Sequence, residues 1–425
     1  MATIEASAPA KRSGDMRNYI LVTAAYWADT LTDGAIRMLV LFYFFERGYT
    51  PFQVASLFIF YEVFGVVTNL IGGWLAARLG LKVTLFAGLA TQVIALGMLA
   101  LVDPLWLSVP YVMVAQALSG IAKDLTKMSS KSAVKLVVPE NAPSALYKWV
   151  AILTGSKNAL KGVGFFLGGL LLTAFGFQTS LLIFAGVVLA TLGATAVLMR
   201  GGFGGANKKA QFRHMFSKNQ AVNMLAAARL FLFGARDVWF VVGLPVFLYT
   251  VVGWGFWQVG GFMAIWVIGY GIVQASAPGI IRRRVEGQSG EPDGRTATWL
   301  AFALAAFPAG IAVALVAGVD PEIVVVAGLL AFGVIFALNS AVHSYLILAY
   351  TDSDKVAMNV GFYYMANAGG RLAGTLLSGL LYQWYGLVGC LWASVGFVLA
   401  AGLLSIFLPA AAPRTRPIQL GKLSD

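Results

Sequence analysis

Residues 155–176 read GSKNALKGVGFFLGGLLLTAFG, and residues 365–386 read MANAGGRLAGTLLSGLLYQWYG. At a constant offset of 210, Lys161-x-x-Gly164 is answered by Arg371-x-x-Gly374, Gly168-Gly169-Leu170-Leu171 by Ser378-Gly379-Leu380-Leu381, and Phe175-Gly176 by Tyr385-Gly386. A second echo, at an offset of 205, sets Phe52-Gln53-Val54 against Trp257-Gln258-Val259 and Arg78 against Arg283. The chain therefore reads as two related halves. Both quoted stretches are apolar enough for lipid, yet the first carries Lys157 and Lys161 and the second Arg371. A charge at the centre of a bilayer costs at least about 2.5–3.5 kcal/mol, so such a cation requires a compensating reason.

Working outward, the whole chain has the composition of a membrane protein. Of its 425 residues 59% are hydrophobic and 11% charged, with a mean hydropathy of +0.80, which excludes an ordinary soluble domain. The single Cys390 excludes a disulfide framework or a thiolate metal cluster, and His214 and His343 leave little for any metal site. We expect no cofactor, no metal and no catalytic residues. The net charge of +12 does not imply nucleic acid, because most of it lies in short loops between apolar segments. The first apolar segment follows a polar tail and is far longer than the core of a cleavable signal peptide.

Twelve apolar segments are expected, near 18–44, 52–77, 83–102, 106–130, 145–173, 179–199, 219–250, 254–281, 297–318, 323–350, 355–381 and 385–408. At 1.5 Å per residue each is long enough to cross about 30 Å of hydrocarbon. Alternating sides with the N-terminus inside puts 21 of the 30 Lys and Arg on the inner face and only Arg47 on the outer face. That bias predicts both termini in the cytoplasm of a cell with this protein in its cytoplasmic membrane. The expected organisation is a tail over 1–17, a six-helix bundle over 18–199, a linker over 200–218, a second six-helix bundle over 219–408 and a tail over 409–425.

Eight cations remain inside the segments: Arg37, Lys123, Lys127, Lys157, Lys161, Arg229, Arg236 and Arg371. They face five acids, Asp29, Asp33, Glu62, Asp124 and Asp237. Lys157 and Lys161 lie 12 and 16 residues into the fifth segment, and Arg236 and Arg371 come out at similar depth, too deep to reach the interface. Lys127, close to the end of its segment, has the alternative of extending its ammonium to the interface. Lys157 with Lys161, and Lys123 with Lys127, are spaced i and i+4, and Asn359, Tyr363, Asn367 and Arg371 form a polar stripe at steps of four. Several bland roles stay open. Asp33 with Arg37 reads as a local ion pair, Asp124 as a neutraliser of a lysine on the fifth segment, His343 as a hydrogen-bonded interior histidine, and Asp29 and Asp33 as coupling or charge-pair candidates. Glu62 reads as a residue at a helix interface, Arg236 and Asp237 as neighbours with separate partners, and Gly155, Gly162 and Gly169 as packing glycines.

A positive excess in a membrane cavity suits a multiply charged oxyanion ester, because guanidinium groups fork onto phosphate-like oxygens and lysine adds a compact charge. Asn339, Asn359, Asn367 and Tyr363 would serve the ligand's hydroxyl or carboxylate groups, with His343 a turn beyond Asn339.

A six-plus-six repeat with a midplane site resembles the plan of the major facilitator fold. The loop Gly73-Trp74-Leu75-Ala76-Ala77-Arg78-Leu79-Gly80-Leu81-Lys82 resembles that superfamily's signature Gly-x-Leu-Ala-Asp-Arg-x-Gly-Arg-Lys. Ala77 and Leu81 replace the acid and the second basic residue, which puts the signature's charge latch in doubt here. The fold class implied is an all-α membrane protein of twelve transmembrane helices in two six-helix bundles. More specifically, ALSGIAKDLTKMSSKSAVK (117–135), LTGSKNALKGVGFFLGGLL (153–171) and TLTDGAIRMLVLF (30–42) look like the ArsJ family of organoarsenical efflux permeases. That resemblance implies export of 1-arseno-3-phosphoglycerate, formed when glyceraldehyde-3-phosphate dehydrogenase uses arsenate, with no stable complex between the two proteins implied. Arg37, Lys123, Lys127, Lys157 and Lys161 stand within the matching runs. The expected clamp holds one anionic end with Lys123, Lys157 and Lys161 and the other with Arg236 and Arg371. We expect a monomer in the bilayer, and an organophosphate/phosphate exchanger or a proton-coupled drug exporter stands as the alternative. An anion leaving a negative interior gains about 2.3 kcal/mol per charge per 100 mV, roughly 7 kcal/mol for a net charge of −3, so proton coupling is permitted but not required.

Overall fold

Gly176 and Gly386, repeat mates at the offset of 210, both adopt left-handed backbone, with φ of 73° and 63°. Only glycine takes that conformation without a steric penalty, and at both places it turns one membrane crossing directly into the next. The second echo is structural as well. The Gln53 side chain accepts from the Thr50 backbone at 2.9 Å, and Gln258 accepts from Gly255 at 2.7 Å, so the same glutamine caps the same helix start in each half.

The computed structural model describes residues 9–137, 143–199, 219–284, 292–350 and 356–409. Among them there is helix and no strand: α1 (Pro9–Glu46), α2 (Pro51–Ser56), α3 (Ile59–Leu79), α4 (Leu81–Leu101), α5 (Val109–Val137), α6 (Pro143–Leu198), α7 (Gln220–Phe240), α8 (Gly243–Thr250), α9 (Phe256–Arg284), α10 (Gly294–Val316), α11 (Pro321–Ala349) and α12 (Val356–Ser405). Dividing α6 at Gly176 and α12 at Gly386, and joining α2 to α3 and α7 to α8 across short breaks, yields twelve crossings. Eight stretches are long and apolar enough to cross a membrane, two of them 44 residues long and so holding two crossings each. The remaining crossings, α1 and α5, are kept outside that set by their polar and charged residues.

Two details differ from the sequence reading. Helix α1 opens at Pro9, so half of the expected tail is helical. The second and seventh crossings are interrupted, at residues 57–58 and 241–242. At the latter break Ser378 Oγ accepts from the Val242 and Gly243 backbones at 3.2 and 3.0 Å, satisfying donors that the new helix start would otherwise leave unpaired.

Large apolar side chains such as Ile94, Leu189, Ile265, Trp299 and Val313 stand exposed around the bundle, as expected of a surface that faces lipid. The two halves meet along α6 and α9 and along α12 with α2 and α3. A Cβ on Gly260 would lie 2.6 Å from the Phe165 carbonyl, so the backbones of α6 and α9 touch through glycine. At the end remote from the termini, Phe42 stacks on Phe256 with ring centroids 4.6 Å apart, and Phe256 on Tyr249 at 5.1 Å. Tyr249 also donates to Glu46 at 3.3 Å. This aromatic stack joins the first crossing to the seventh and eighth.

Candidate functional site

Helices α1 and α6 approach so closely that a Cβ on Gly34 would stand 3.2 Å from the Gly164 Cα. The approach sets Lys161 Nζ 2.9 Å from Asp33 Oδ2, while the Tyr61 hydroxyl donates to Asp33 Oδ1. The other half repeats the device. Gly374 packs on α7, where an added Cβ would meet Asp237 Cβ at 2.8 Å, and Arg371 Nε lies 3.4 Å from Asp237 Oδ2. Repeat-mate cations thus find an acid on the first helix of their own half.

Glu62 joins the two arrangements. Its Oε1 accepts from Arg37 Nη2 at 3.0 Å and from Arg371 Nη2 at 2.7 Å. Asp237 Oδ1 then receives Arg236 Nη2 at 2.5 Å. Signs alternate along this chain from α1 through α3 and α12 to α7. Lys123 stands over the Tyr61 ring, its Nζ 4.0 Å from the centroid, and makes no ion pair or hydrogen bond among the described residues. With the Lys127–Asp124 pair and Asp29 beside Lys123 included, six cations (Arg37, Lys123, Lys127, Lys161, Arg236 and Arg371) stand against five carboxylates, an excess of one positive charge. The acids are hidden, Glu62 and Asp237 at 1% exposure and Asp33 at 3%. The side chains of Lys161, Arg236 and Arg371 retain 18, 16 and 20%. What is accessible at the cluster is therefore cationic.

Several sequence expectations are corrected here. Asp33 and Arg37, although one turn apart on α1, do not pair with each other, because Lys161 and Glu62 on neighbouring helices are their partners. Arg236 and Asp237 do not have separate partners, because the long arginine side chain folds back onto its neighbour. Asp124 takes Lys127 of its own helix, at 2.5 Å, not a lysine of the fifth crossing. Lys127 does not extend to the interface: Asn69 Oδ1 also holds its ammonium at 2.5 Å, and Thr68 completes Asp124 at 2.8 Å. Asp29 accepts from Thr126 at 2.6 Å and pairs with no cation among the described residues. Glu62 is at a helix interface, as expected, where α3 meets α1 and α12.

A second polar group lies in the C-terminal half. Arg229 Nε donates to Asn367 Oδ1 at 3.0 Å, and its Nη1 to Ser340 Oγ and O at 3.0 and 3.2 Å. Asn339, His343 and Tyr363 are buried nearby on α11 and α12. Lys157 is half-buried on α6; the side chain of Asn359 lies outside the described residues. Sequence reasoning counted Arg229 and Glu62 among the intramembrane charges without placing either in the site. For Glu62 the available signal was an acid beside a tyrosine in an otherwise apolar segment.

The profile of the Major Facilitator Superfamily matches residues 22–348. The chain belongs to that superfamily. No curated relative matches it. Among solved structures it is similar to a POT family transporter crystallised with a thioalcohol-conjugated peptide, at 13% identity and a TM-score of 0.73, over 92% of this chain and 96% of that one. At that identity the likeness shows the fold alone. As a facilitator the protein is a multi-pass membrane transporter, and its two six-helix bundles are the halves seen in the repeat. In facilitator terms the Glu62–Arg371 ion pair ties one bundle to the other. Among the described residues no group of three or more His, Cys, Asp and Glu could hold a metal ion.

Proposed function

We propose that this facilitator exports a multiply charged oxyanion ester, 1-arseno-3-phosphoglycerate, and with a glyceraldehyde-3-phosphate dehydrogenase confers arsenate resistance. The observation that carries the reading is the cationic excess of the central cluster, with Lys123 in no direct ion pair among the described residues and the acids turned away from solvent. A buried charge without a direct partner is costly, and an anionic substrate supplies its counter-ion. The same bias disfavours an exporter of cationic drugs, whose substrates would meet a ring of like charge. The likeness of residues 30–42, 117–135 and 153–171 to organoarsenical permeases narrows the oxyanion to this ester.

With both termini in the cytoplasm, the Phe42–Tyr249–Phe256 stack closes the outer face, and substrate enters from the inner one. Its oxyanion competes with Glu62 for Arg37 and Arg371. Glu62 belongs to the first bundle and Arg371 to the second, so displacing it exchanges a protein crosslink for a substrate crosslink. Rocking of the bundles then carries the anion outward, down the potential.

The test is arsenate resistance in a sensitive bacterium that expresses the protein with and without the dehydrogenase. Resistance is expected only with both. Resistance independent of the dehydrogenase, or none with either, overturns the substrate. Uptake into proteoliposomes that depends on phosphate on the opposite side would assign phosphate exchange instead.

A further inference from the structure

Arg229 is 4% exposed and, unlike the central arginines, has no carboxylate partner among the described residues. Its bonds go to an amide oxygen, a hydroxyl and a backbone carbonyl, and no described residue accepts from Nη2. The Phe233 ring, 3.9 Å from its guanidinium carbon, offsets part of the cost of burial. Two fully buried side chains beside it are also unsatisfied: neither amide atom of Asn339 and neither ring nitrogen of His343 has a hydrogen-bond partner. Buried polar atoms are nearly always paired, and these share one face of α11 with Ser340, which Arg229 already touches. Asn339 and His343 are four residues apart, and Ser340 and His343 three.

We infer that Arg229, with Asn339 and His343, forms a second oxyanion subsite that receives the other anionic end of the substrate. The free Nη2 of a guanidinium without a carboxylate, an amide N–H and an imidazole N–H are donors that an acceptor-rich, negatively charged group would satisfy, and a phosphate, arsenate or carboxylate is such a group. The subsite is continuous with the central cluster. Arg229 and Arg236 are seven residues apart on α7 and so lie on nearly one face, and both guanidiniums stand over the same Phe233 ring, at 3.9 and 5.0 Å. One end of a two-ended ester then rests on the Arg371–Arg236 side and the other on Arg229. The clamp is built largely within the C-terminal half, and Lys123 and Lys161 close it from the other side. The inference rests on the proposed oxyanion substrate.

The test is calorimetric binding to the purified full chain, with 3-phosphoglycerate as a two-ended probe and inorganic phosphate as a one-ended one. Replacing Arg229→Gln is expected to weaken 3-phosphoglycerate by about tenfold or more, the value of a charge-assisted hydrogen bond, and inorganic phosphate by less than about twofold. His343→Gln, which breaks no bond seen in the structure, guards against misfolding and is expected to weaken the two-ended probe in the same direction. If Arg229→Gln removes a phosphate-binding event and leaves 3-phosphoglycerate untouched, the subsite holds a separate oxyanion. Both variants binding both probes like wild type overturns the subsite and leaves the proposed function standing. Wild-type protein that binds neither probe overturns both.

Discussion

Glu62 and Arg371 are joined at 2.7 Å across 309 residues of sequence and across the boundary between the bundles. Because Glu62 also holds Arg37, its loss leaves two buried guanidiniums short of an anion. Glu62→Gln is expected to lower the melting temperature of ligand-free protein, and an oxyanion ligand is expected to raise it by more than in wild type, since the ligand fills the vacated position. Thermal unfolding in detergent with and without 3-phosphoglycerate checks this. An equal ligand shift in both proteins would mean that substrate and Glu62 do not share the arginines.

Lys123 and Lys127 sit one turn apart on α5 but differ in kind. Lys127 is bound to Asp124 and Asn69, whereas Lys123 stands over the Tyr61 ring and makes no direct ion pair among the described residues. Lys123→Gln should weaken substrate about tenfold with stability changed by less than about 1 kcal/mol. Lys127→Gln should cost about 3 kcal/mol of stability by stranding Asp124. Parallel binding and unfolding measurements separate them, and the reverse assignment would refute the site.

The Lys161–Asp33 pair is buried. Lys161→Gln is expected to destabilise the protein by about 3–5 kcal/mol, because Asp33 loses its ion-pair partner and keeps the Tyr61 hydroxyl as its hydrogen bond, while Asp33→Asn combined with Lys161→Gln should recover most of that loss. A double-mutant cycle read by denaturation measures the coupling. Additive effects would show that the pair contributes nothing.

Gly374 and Gly310 both lie in helices, yet only the first is in contact. Gly374→Ala drives a methyl to 2.8 Å from Asp237 Cβ and should cost about 1–3 kcal/mol. It also pushes Arg371 off its acid, so binding should fall with it. Gly310 has nothing within 4 Å, and Gly310→Ala should be neutral or stabilising by up to about 1 kcal/mol. Melting temperatures of the two variants decide it.

Much of the architecture was legible in the chain. The apolar segments, the doubling and the intramembrane cations are local properties: hydropathy depends on composition within a window, and a repeat on spacing. Gly176 and Gly386 are the sharpest case, since a glycine at matching positions became the same left-handed turn twice. The positive bias of the cluster was legible too, because charge can be counted without knowing who meets whom. Interior pairings were not. Helical periodicity placed Arg236 and Asp237 about 100° apart, and the flexible arginine side chain overrode it.

By itself, then, the sequence determined that this protein is a doubled helical bundle for a membrane and that its interior is cationic, because transfer free energies act residue by residue. Only the tertiary structure decided which charges are neutralised by protein and which are left for a ligand. That choice depends on helix rotation and on contact between residues far apart in sequence. Asp33, Glu62 and Asp237 neutralise Lys161, Arg37, Arg371 and Arg236 in part, while Lys123 and Arg229 make no direct ion pair among the described residues.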